Sequence, residues 1–166
     1  MTTEVHDVLV RKNVVVNAPI AHIFAVFTEG RQNTWWPRGH HIGARENFTA
    51  MLERRVGGRW FERGDDGSEC DWGRVLAWEP PRRLVLSWDI GADWQYDPNL
   101  ATEAEGRFIA ESDERTRVEL EHRKLQRFGD KAEAMRALFD SPEAWAQTLR
   151  TMANVAEATK PAPREP

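Results

Sequence analysis

The chain has 166 residues, of which 40% are hydrophobic, and 23 Lys and Arg against 27 Asp and Glu give a net charge of −4. This length predicts one globular domain with a sizeable core, and the mild negative charge argues against nucleic-acid binding. The sequence contains neither a stretch apolar enough for membrane insertion nor a signal peptide, and its single cysteine, Cys70, excludes an intrachain disulfide. We therefore expect a cytoplasmic protein.

The first part of the chain predicts one strand followed by two short helices. Residues 8–16 are rich in β-branched side chains, which favour a strand. Asn17 is expected to cap the first helix, with Pro19 in its first turn, and apolar residues at helical spacing extend that helix to about Thr28. Residues 31–36 are expected to form a second helical turn that ends at Pro37.

The middle of the chain has the period-two pattern of strands. Strands are predicted over residues 47–54, 59–63, 69–79, 84–90, 103–112 and 116–125. The segment Asp65-Asp66-Gly67-Ser68 is typical of a hairpin turn, and Pro80-Pro81 predicts another turn. Short turns between strands of this kind indicate an antiparallel meander.

The last part of the chain is predicted to be helical. A short helix is expected over residues 130–139, and Ser141-Pro142-Glu143 resembles the start of a long helix that runs to about residue 158. Trp145, Leu149, Met152 and Ala156 would share one face of that helix. We expect one domain over residues 1–158 and a disordered tail over residues 159–166.

Four segments in this order resemble the heat-shock protein 90 ATPase activator homologue family, within the START-like (SRPBCC) superfamily. They are "VNAPIAHIFAVFT", "TWWP", the run from "GGRWFE" through "WGRVLAWEPPRRLVLSW", and "HRKLQRFGDKAEAMRALFDSPEAWAQTLRTMANVAE", which lie within residues 8–158. The resemblance implies an α+β helix-grip fold, in which a curved antiparallel sheet of six or seven strands wraps around a long C-terminal helix. The superfamily includes lipid and polyketide carriers, hormone receptors, aromatase/cyclases and hydroxylase domains.

An aromatic-rich set of residues falls in elements that could face the space between this sheet and helix. The set comprises Trp36, Trp60, Trp72, Trp78, Trp88, Trp94, Tyr96, Phe108 and Trp145. Two interpretations stay open: the rings line a cavity for a small hydrophobic ligand, or they fill a packed core. The predicted ligand-binding residues are Trp36, His41, Trp60, Trp72, Arg74, Trp88, Phe108, Trp145 and Leu149.

Arg74 and His41 are the polar candidates in that set. Arg74 shares a face with Trp72 and Trp78 if the strand alternation is unbroken, and it would then bind an acidic or carbonyl group or pair with Glu62, Glu105 or Glu121. A bulge at Gly73 would instead turn Arg74 towards solvent, and a salt bridge at the sheet edge is the favoured alternative. His41 follows the "WWP" turn near the expected mouth of the cavity.

No motif for catalysis, metal or cofactor binding is present. The sequence lacks a nucleophile elbow, a Walker loop, a dinucleotide fingerprint and an H-E-x-x-H pair, and its histidines lie in separate elements apart from His40-His41. Cys70 is expected to be an inert thiol. We therefore expect no cofactor, no metal and no catalytic residue.

Three hypotheses of function follow. The leading one is non-enzymatic binding of a small hydrophobic or amphipathic molecule, such as a lipid. The second is a cyclase, dehydratase or hydrolase that acts on a cyclic or polyketide-like substrate, which predicts an inward-facing carboxylate or His in the cavity. The third is a stress-response or chaperone-associated interaction protein with a vestigial cavity.

Partner proteins are considered separately. The sequence shows no N-terminal domain like that of the chaperone activators after which the family is named, and chaperone activation is not expected. An exposed Trp35-Trp36 cluster or a sheet edge could form a homodimer contact.

Overall fold

A seven-stranded antiparallel sheet forms the body of the molecule. The computed structural model describes residues 8–32 and 35–162. Its strands are β1 (Val10–Val16), β2 (Phe48–Leu52), β3 (Arg59–Gly64), β4 (Glu69–Glu79), β5 (Arg83–Trp88), β6 (Thr102–Ser112) and β7 (Arg115–Arg123). Their order in the sheet is β1-β7-β6-β5-β4-β3-β2. The chain therefore runs as a meander from β2 to β7, and β1 pairs with the last strand.

Three α-helices pack with the sheet: α1 (Ile20–Phe27), α2 (Ala132–Asp140) and α3 (Trp145–Thr159). A 3₁₀ segment, Leu125–Lys131, leads from β7 into α2, and α3 packs against β1 and α1. This arrangement of a curved sheet and a C-terminal helix is the predicted α+β helix-grip fold. None of the helices in the described part of the chain is long and apolar enough to cross a membrane.

The region around α1 differs from the prediction in two details. Pro19 is the N-cap of α1, with no side-chain cap, and Asn17 instead donates its backbone N–H to Glu157 at 2.9 Å. The second helical turn expected over residues 31–36 is consistent with the bond from the N–H of Trp36 to the carbonyl of Gln32 at 2.8 Å, but Arg31 bridges to Met51 on β2 instead. Residues 33 and 34 lie outside the described residues.

Two bulges interrupt β4. Trp60 pairs with Gly73 and Phe61 with Asp71, which leaves Trp72 as the extra residue. A second irregularity lies between Val75 and Ala77. Each extra residue reverses which positions point inwards. The predicted common face of Cys70, Trp72, Leu76 and Trp78 is therefore wrong: Leu76 is exposed, and Val75 takes the inner position.

The C-terminal helix begins later than predicted. Residues 141–144 form a turn, in which the N–H of Ala144 bonds to the carbonyl of Ser141 at 3.2 Å, so that Ser141 does not cap α3. The predicted inner face of α3 is confirmed, because Trp145, Leu149, Met152 and Ala156 are buried. The expected tail begins one residue too early, since α3 includes Thr159, and residues 163–166 lie outside the described residues.

The outer face of the sheet is a ladder of ion pairs. The buried carboxylate of Glu105 is held between Arg83, Arg107 and Arg123. Burial would raise its pKa, but hydrogen bonds from these three guanidinium groups outweigh burial and lower the pKa of Glu105 to about 2. This side of the sheet is thus polar, and the apolar side is left for the helices.

Candidate ligand cavity

A cavity of about 440 Å³ opens between the sheet and the beginning of α3. Its walls come from the loop between α1 and β2, from β4 and β5, from the loop after β5, and from the segment that joins α2 to α3. The lining residues are Trp36, Gly39, His40, His41, Ile42, Trp72, Trp88, Ile90, Trp94, Leu138, Phe139, Ser141, Glu143, Ala144, Trp145 and Thr148. We refer to this space as the cavity.

Four tryptophans form the apolar wall of the cavity and also contact one another. Trp36 lies 5.2 Å from Trp72 and 6.5 Å from Trp145, and Trp88 lies 5.7 Å from Trp145, measured between ring centroids. Most of these pairs meet edge to face, which is a favourable arrangement for aromatic rings. The rings therefore pack against one another and still leave a space beside them.

Five of the nine predicted ligand-binding residues line the cavity: Trp36, His41, Trp72, Trp88 and Trp145. The other four do not. Phe108 packs edge to face on Phe24 and Phe27 of α1, and Leu149 is part of the core below. Trp60 lies behind Trp36 and Trp72 and bonds through Nε1 to Gln32 at 3.0 Å.

Arg74 is the fourth exception. The bulge at Trp72 turns its side chain away from the cavity, and the residue is exposed. Among the described residues it makes no salt bridge with Glu62, Glu105 or Glu121. The prediction that Arg74 supplies polarity to the cavity is therefore wrong. The bulge considered as the alternative in the sequence analysis turns Arg74 towards solvent instead.

Buried Glu62 on β3 holds one side of the cavity in place. Its Oε1 accepts hydrogen bonds from the backbone N–H groups of Ile42 and Gly43, at 2.6 and 3.0 Å, and from Nε1 of Trp72 at 3.0 Å. A Cβ on Gly43 would lie 2.7 Å from Oε2, so the close approach of the loop requires glycine. One carboxylate thus positions both the loop that bears His41 and the ring of Trp72.

The two adjacent histidines have different surroundings. His40 is engaged at both ring nitrogens, with Nε2 3.1 Å from the carbonyl oxygen of Glu143 and Nδ1 3.3 Å from the hydroxyl of Thr148. Burial lowers the pKa of His40, which favours its neutral form. His41 stacks on Phe48 at 4.7 Å, and its buried Nδ1 has no hydrogen-bond partner.

A third histidine, His122, supports the tryptophan wall from behind. Nε1 of Trp145 donates to Nδ1 of His122 at 3.1 Å, and Nε2 of His122 lies 3.0 Å from the hydroxyl of Thr102. That hydroxyl donates to the carbonyl of Trp88 at 2.7 Å, so Nε2 carries the proton. This series of hydrogen bonds was not predicted from the sequence, because its members lie on four separate elements.

The rim of the cavity is apolar. Trp94, 49% exposed, and Leu138, 40% exposed, lie on the loop after β5 and on α2. The loop is fixed by buried Asp89, which accepts hydrogen bonds from the N–H of Ala101 and the hydroxyl of Ser87. Burial raises the pKa of Asp89. Leu138 was not among the residues predicted for the cavity, whereas Trp94 belonged to the aromatic set expected near this space.

The exposed Trp35-Trp36 cluster considered as a homodimer contact is not present. Both residues are buried, and Nε1 of Trp35 bonds to the carbonyl of Val26 at 2.8 Å. The vestigial-cavity hypothesis also predicted that no connected space would exist, and the cavity argues against it.

Comparison with known proteins supports the family suggested by the sequence. The model of the family described as "Activator of Hsp90 ATPase homolog 1-like protein" matches residues 17–157. A search of curated proteins found no match. Among solved structures, an anthrahydroquino-Gama-pyrone synthase, Txn09, complexed with SUM, is similar at 42% sequence identity and a TM-score of 0.62, over 89% of this chain and 96% of that one.

Two further structures are similar over nearly the whole chain. The self-sacrificing resistance protein CalC from Micromonospora echinospora shares 26% identity with a TM-score of 0.64, over 92% of this chain and 96% of that one. Protein NE0264 from Nitrosomonas europaea shares 13% identity with a TM-score of 0.63, over 91% and 95%, and shows the fold alone. The chain belongs to the family of Activator of Hsp90 ATPase homolog 1-like proteins.

Proposed function

We propose that this protein binds a flat, polycyclic aromatic small molecule of the polyketide type in the cavity. The observation that carries the proposal is a space of about 440 Å³ walled by four tryptophans. Ligand pockets for drug-sized molecules span roughly 300–1,000 Å³ and are mostly apolar with a few polar groups. The cavity has that size and that character.

The tryptophan wall favours a flat ligand over a flexible chain. Trp36, Trp72, Trp88 and Trp145 offer rigid rings on which fused aromatic rings can stack or pack edge to face. A fatty acyl chain would also bury apolar surface there. It would, however, lose rotational freedom on binding and could not stack or pack edge to face on the tryptophan rings. We therefore prefer an aromatic ligand to the lipid that the sequence also allowed.

One unsatisfied donor supports a ligand that has a carbonyl oxygen. Nε1 of Trp88 is buried and has no hydrogen-bond partner among the described residues. An unpaired buried donor costs about 1–3 kcal/mol. Nε1 has almost no accessible surface, so we propose that the Trp88 ring turns when the ligand binds, which lets a ligand oxygen accept from Nε1 and removes that cost. Quinones and pyrones present such oxygens at the edge of an aromatic ring system.

The similarity to Txn09 points to the same class of ligand. That protein is named as an anthrahydroquino-Gama-pyrone synthase, and it shares 42% of its sequence with this chain over 96% of its length. The name describes a fused aromatic product. We infer a ligand of related chemistry for this chain from that likeness together with the tryptophan wall.

A second candidate function is a ring-closing enzyme that uses the same cavity. Two observations favour it: the name of Txn09 denotes a synthase, and His40, His41 and Glu143 line the cavity, as the cyclase hypothesis requires. Binding and catalysis share the first step, so binding is tested first. Conversion of a bound precursor to a new ring would then distinguish the enzyme from a carrier.

The proposal is tested by titrating the protein with anthraquinone and following tryptophan fluorescence. We expect saturable quenching, and in a Trp88→Phe variant we expect about tenfold weaker binding, because the donor to the quinone oxygen is lost while the aromatic wall remains. Trp78→Phe is the matched control: Trp78 packs on Phe24 and does not line the cavity, so affinity should stay within twofold. Absence of saturable quenching, or tighter binding of palmitate, would contradict the proposal.

A further inference from the structure

The pair formed by His41 and Glu62 has the geometry of a proton acceptor that faces the cavity. Nδ1 of His41 lies 3.6 Å from Oε2 of Glu62, and the His41 ring borders the cavity. We infer that His41, positioned by Glu62, accepts the proton of a phenolic hydroxyl on the bound ligand. The inference rests on the proposed function, since it assigns a chemical step to the same aromatic ligand.

Glu62 can position His41 because its other oxygen is already fixed. Three N–H groups bind Oε1, and one of them is the backbone N–H of Ile42, the residue after His41. The other oxygen, Oε2, faces His41, which is the only ion-pair partner of Glu62 among the described residues. The carboxylate therefore favours a proton on Nδ1 of His41 and leaves Nε2 to accept one.

The 3.6 Å separation is slightly too long for a hydrogen bond. Catalytic hydrogen bonds are often long in ligand-free structures and shorten when the ligand binds. Nδ1 of His41 is buried without a partner, which a purely structural histidine would avoid. The neighbouring His40 illustrates the structural case, because both of its ring nitrogens are already engaged.

The proton transfer balances without another reactant. The hydroxyl O–H bond of the ligand breaks, its proton bonds to Nε2 of His41, and the electron pair stays on the ligand oxygen as a phenolate. The imidazolium that results keeps its Nδ1–H on the side of the Glu62 carboxylate. The carboxylate stabilises the positive ring in a cavity that has few other charges.

The other titratable groups near the pair are few. They are His40 and Glu143 on the cavity wall, Arg38, whose guanidinium carbon lies 4.8 Å from the centre of the Phe48 ring, and Cys70, whose sulfur lies near Oε2 of Glu62. Burial and the charges of Glu62 and Asp71 raise the pKa of Cys70, which keeps its thiol neutral. Glu62 is therefore the charge closest to Nδ1 of His41.

The experiment uses 2-hydroxyanthraquinone, whose visible absorption band shifts when its hydroxyl ionises. We would measure the ionised fraction of the bound probe at a pH where about one-tenth of the free probe is ionised. We expect the wild-type protein to raise that fraction and His41→Gln to lower it at least threefold. Glu62→Gln should lower it partway, since the imidazolium then loses its carboxylate.

Anthraquinone, which has no hydroxyl, separates this inference from the proposed function. It should bind the wild-type protein saturably, and the ionised fractions are compared at saturating probe, so that any affinity lost with the cavity-lining ring in His41→Gln does not enter the comparison. His22→Gln, which changes a histidine of α1 that contacts the far end of α3, should leave the ionised fraction unchanged. Equal ionisation of the probe in wild type and His41→Gln, with anthraquinone still bound, would overturn the inference alone. Failure of anthraquinone to bind the wild type would overturn the proposed function and the inference together.

Discussion

His122 is the titratable residue most isolated from water in the described chain. It is fully buried, and burial lowers its pKa to about 3 from the usual 6.5. Both ring nitrogens have neutral partners, Trp145 and Thr102, so no nearby carboxylate compensates a positive charge. The imidazole of His122 is therefore neutral in the folded protein near neutral pH.

Stability should therefore fall as the pH falls from 6.5 towards 3. In this range the unfolded chain binds a proton at His122 and the folded chain does not. Proton binding therefore lowers the free energy of the unfolded state relative to the folded state. Between pH 7 and pH 5 we expect His122 to remove about 2 kcal/mol from the free energy of unfolding. Buried His40 acts in the same direction. The measurement is urea denaturation at the two pH values.

The His122→Gln variant should lose stability at pH 7, yet it should lose less than the wild type when the pH is lowered to 5. The control, His22→Gln, should keep the wild-type difference between the two pH values. An unchanged pH difference in His122→Gln would contradict the assignment. Glu105 does not confuse the result, because its carboxylate, with a pKa of about 2 when folded, affects stability only below about pH 4.5.

At the scale of elements, the bulges of β4 decide which side chains meet the cavity. Trp72 is the extra residue of the first bulge, and Gly73 after it has no room for a side chain: a Cβ there would lie 1.7 Å from the carbonyl oxygen of Ser87 on β5. Backbone atoms cannot yield as the end of a flexible side chain can. The bulge thus depends on glycine at position 73.

Gly73→Ala should destabilise the protein by about 3 kcal/mol, since β4 and β5 must separate to admit the methyl group. Because Trp72 lies on the same bulge, binding of anthraquinone should weaken as well. Chemical denaturation and fluorescence titration measure the two effects. Gly39→Ala is the stability control, because a Cβ on Gly39 meets nothing within 4 Å, and it should change stability by less than about 0.5 kcal/mol. Equal stability of the two variants would refute the role given to Gly73.

Most strands and helices could be predicted from the sequence, but only some of the cavity residues could be. Turn residues such as Gly67 and Pro80 mark where strands end, and the bounds of β4 were predicted without error. The side on which Arg74 lies stayed open in the sequence, because Gly73 indicated a bulge that would reverse the alternation but a glycine does not by itself establish one. Leu138 was missed as a cavity residue because α2 brings it to the rim, whereas Trp94 was named in the aromatic set but left out of the predicted ligand-binding residues.

At the scale of the whole molecule, the two ends of the described chain are joined. β1 pairs with β7 along its length, and the N–H and carbonyl of Asn17 bond to Glu157 and Lys160 at the end of α3. The C-terminal helix also packs against β1 and α1. The N-terminal strand and the C-terminal helix therefore depend on each other.

We expect the protein to unfold in one cooperative transition. Far-UV circular dichroism, which reports the helices and sheet, and tryptophan fluorescence, which reports the cavity wall, should give the same midpoint in urea. Anthraquinone at a hundredfold excess over its dissociation constant should shift both midpoints together, by about 2.7 kcal/mol of added stability. An earlier transition by circular dichroism would mean that α3 detaches by itself and would contradict the prediction.

The hydrogen-bond chain from Trp145 through His122 and Thr102 to the backbone of Trp88 has a kinetic consequence. It fixes the indole of Trp145 and the backbone of Trp88 before any ligand arrives, so less conformational entropy is lost when the ligand binds. The rim at Trp94 and Leu138, by contrast, is half exposed. Rates of ligand entry and release should therefore depend on the rim residues, and differences in equilibrium affinity among ligands should depend on the wall.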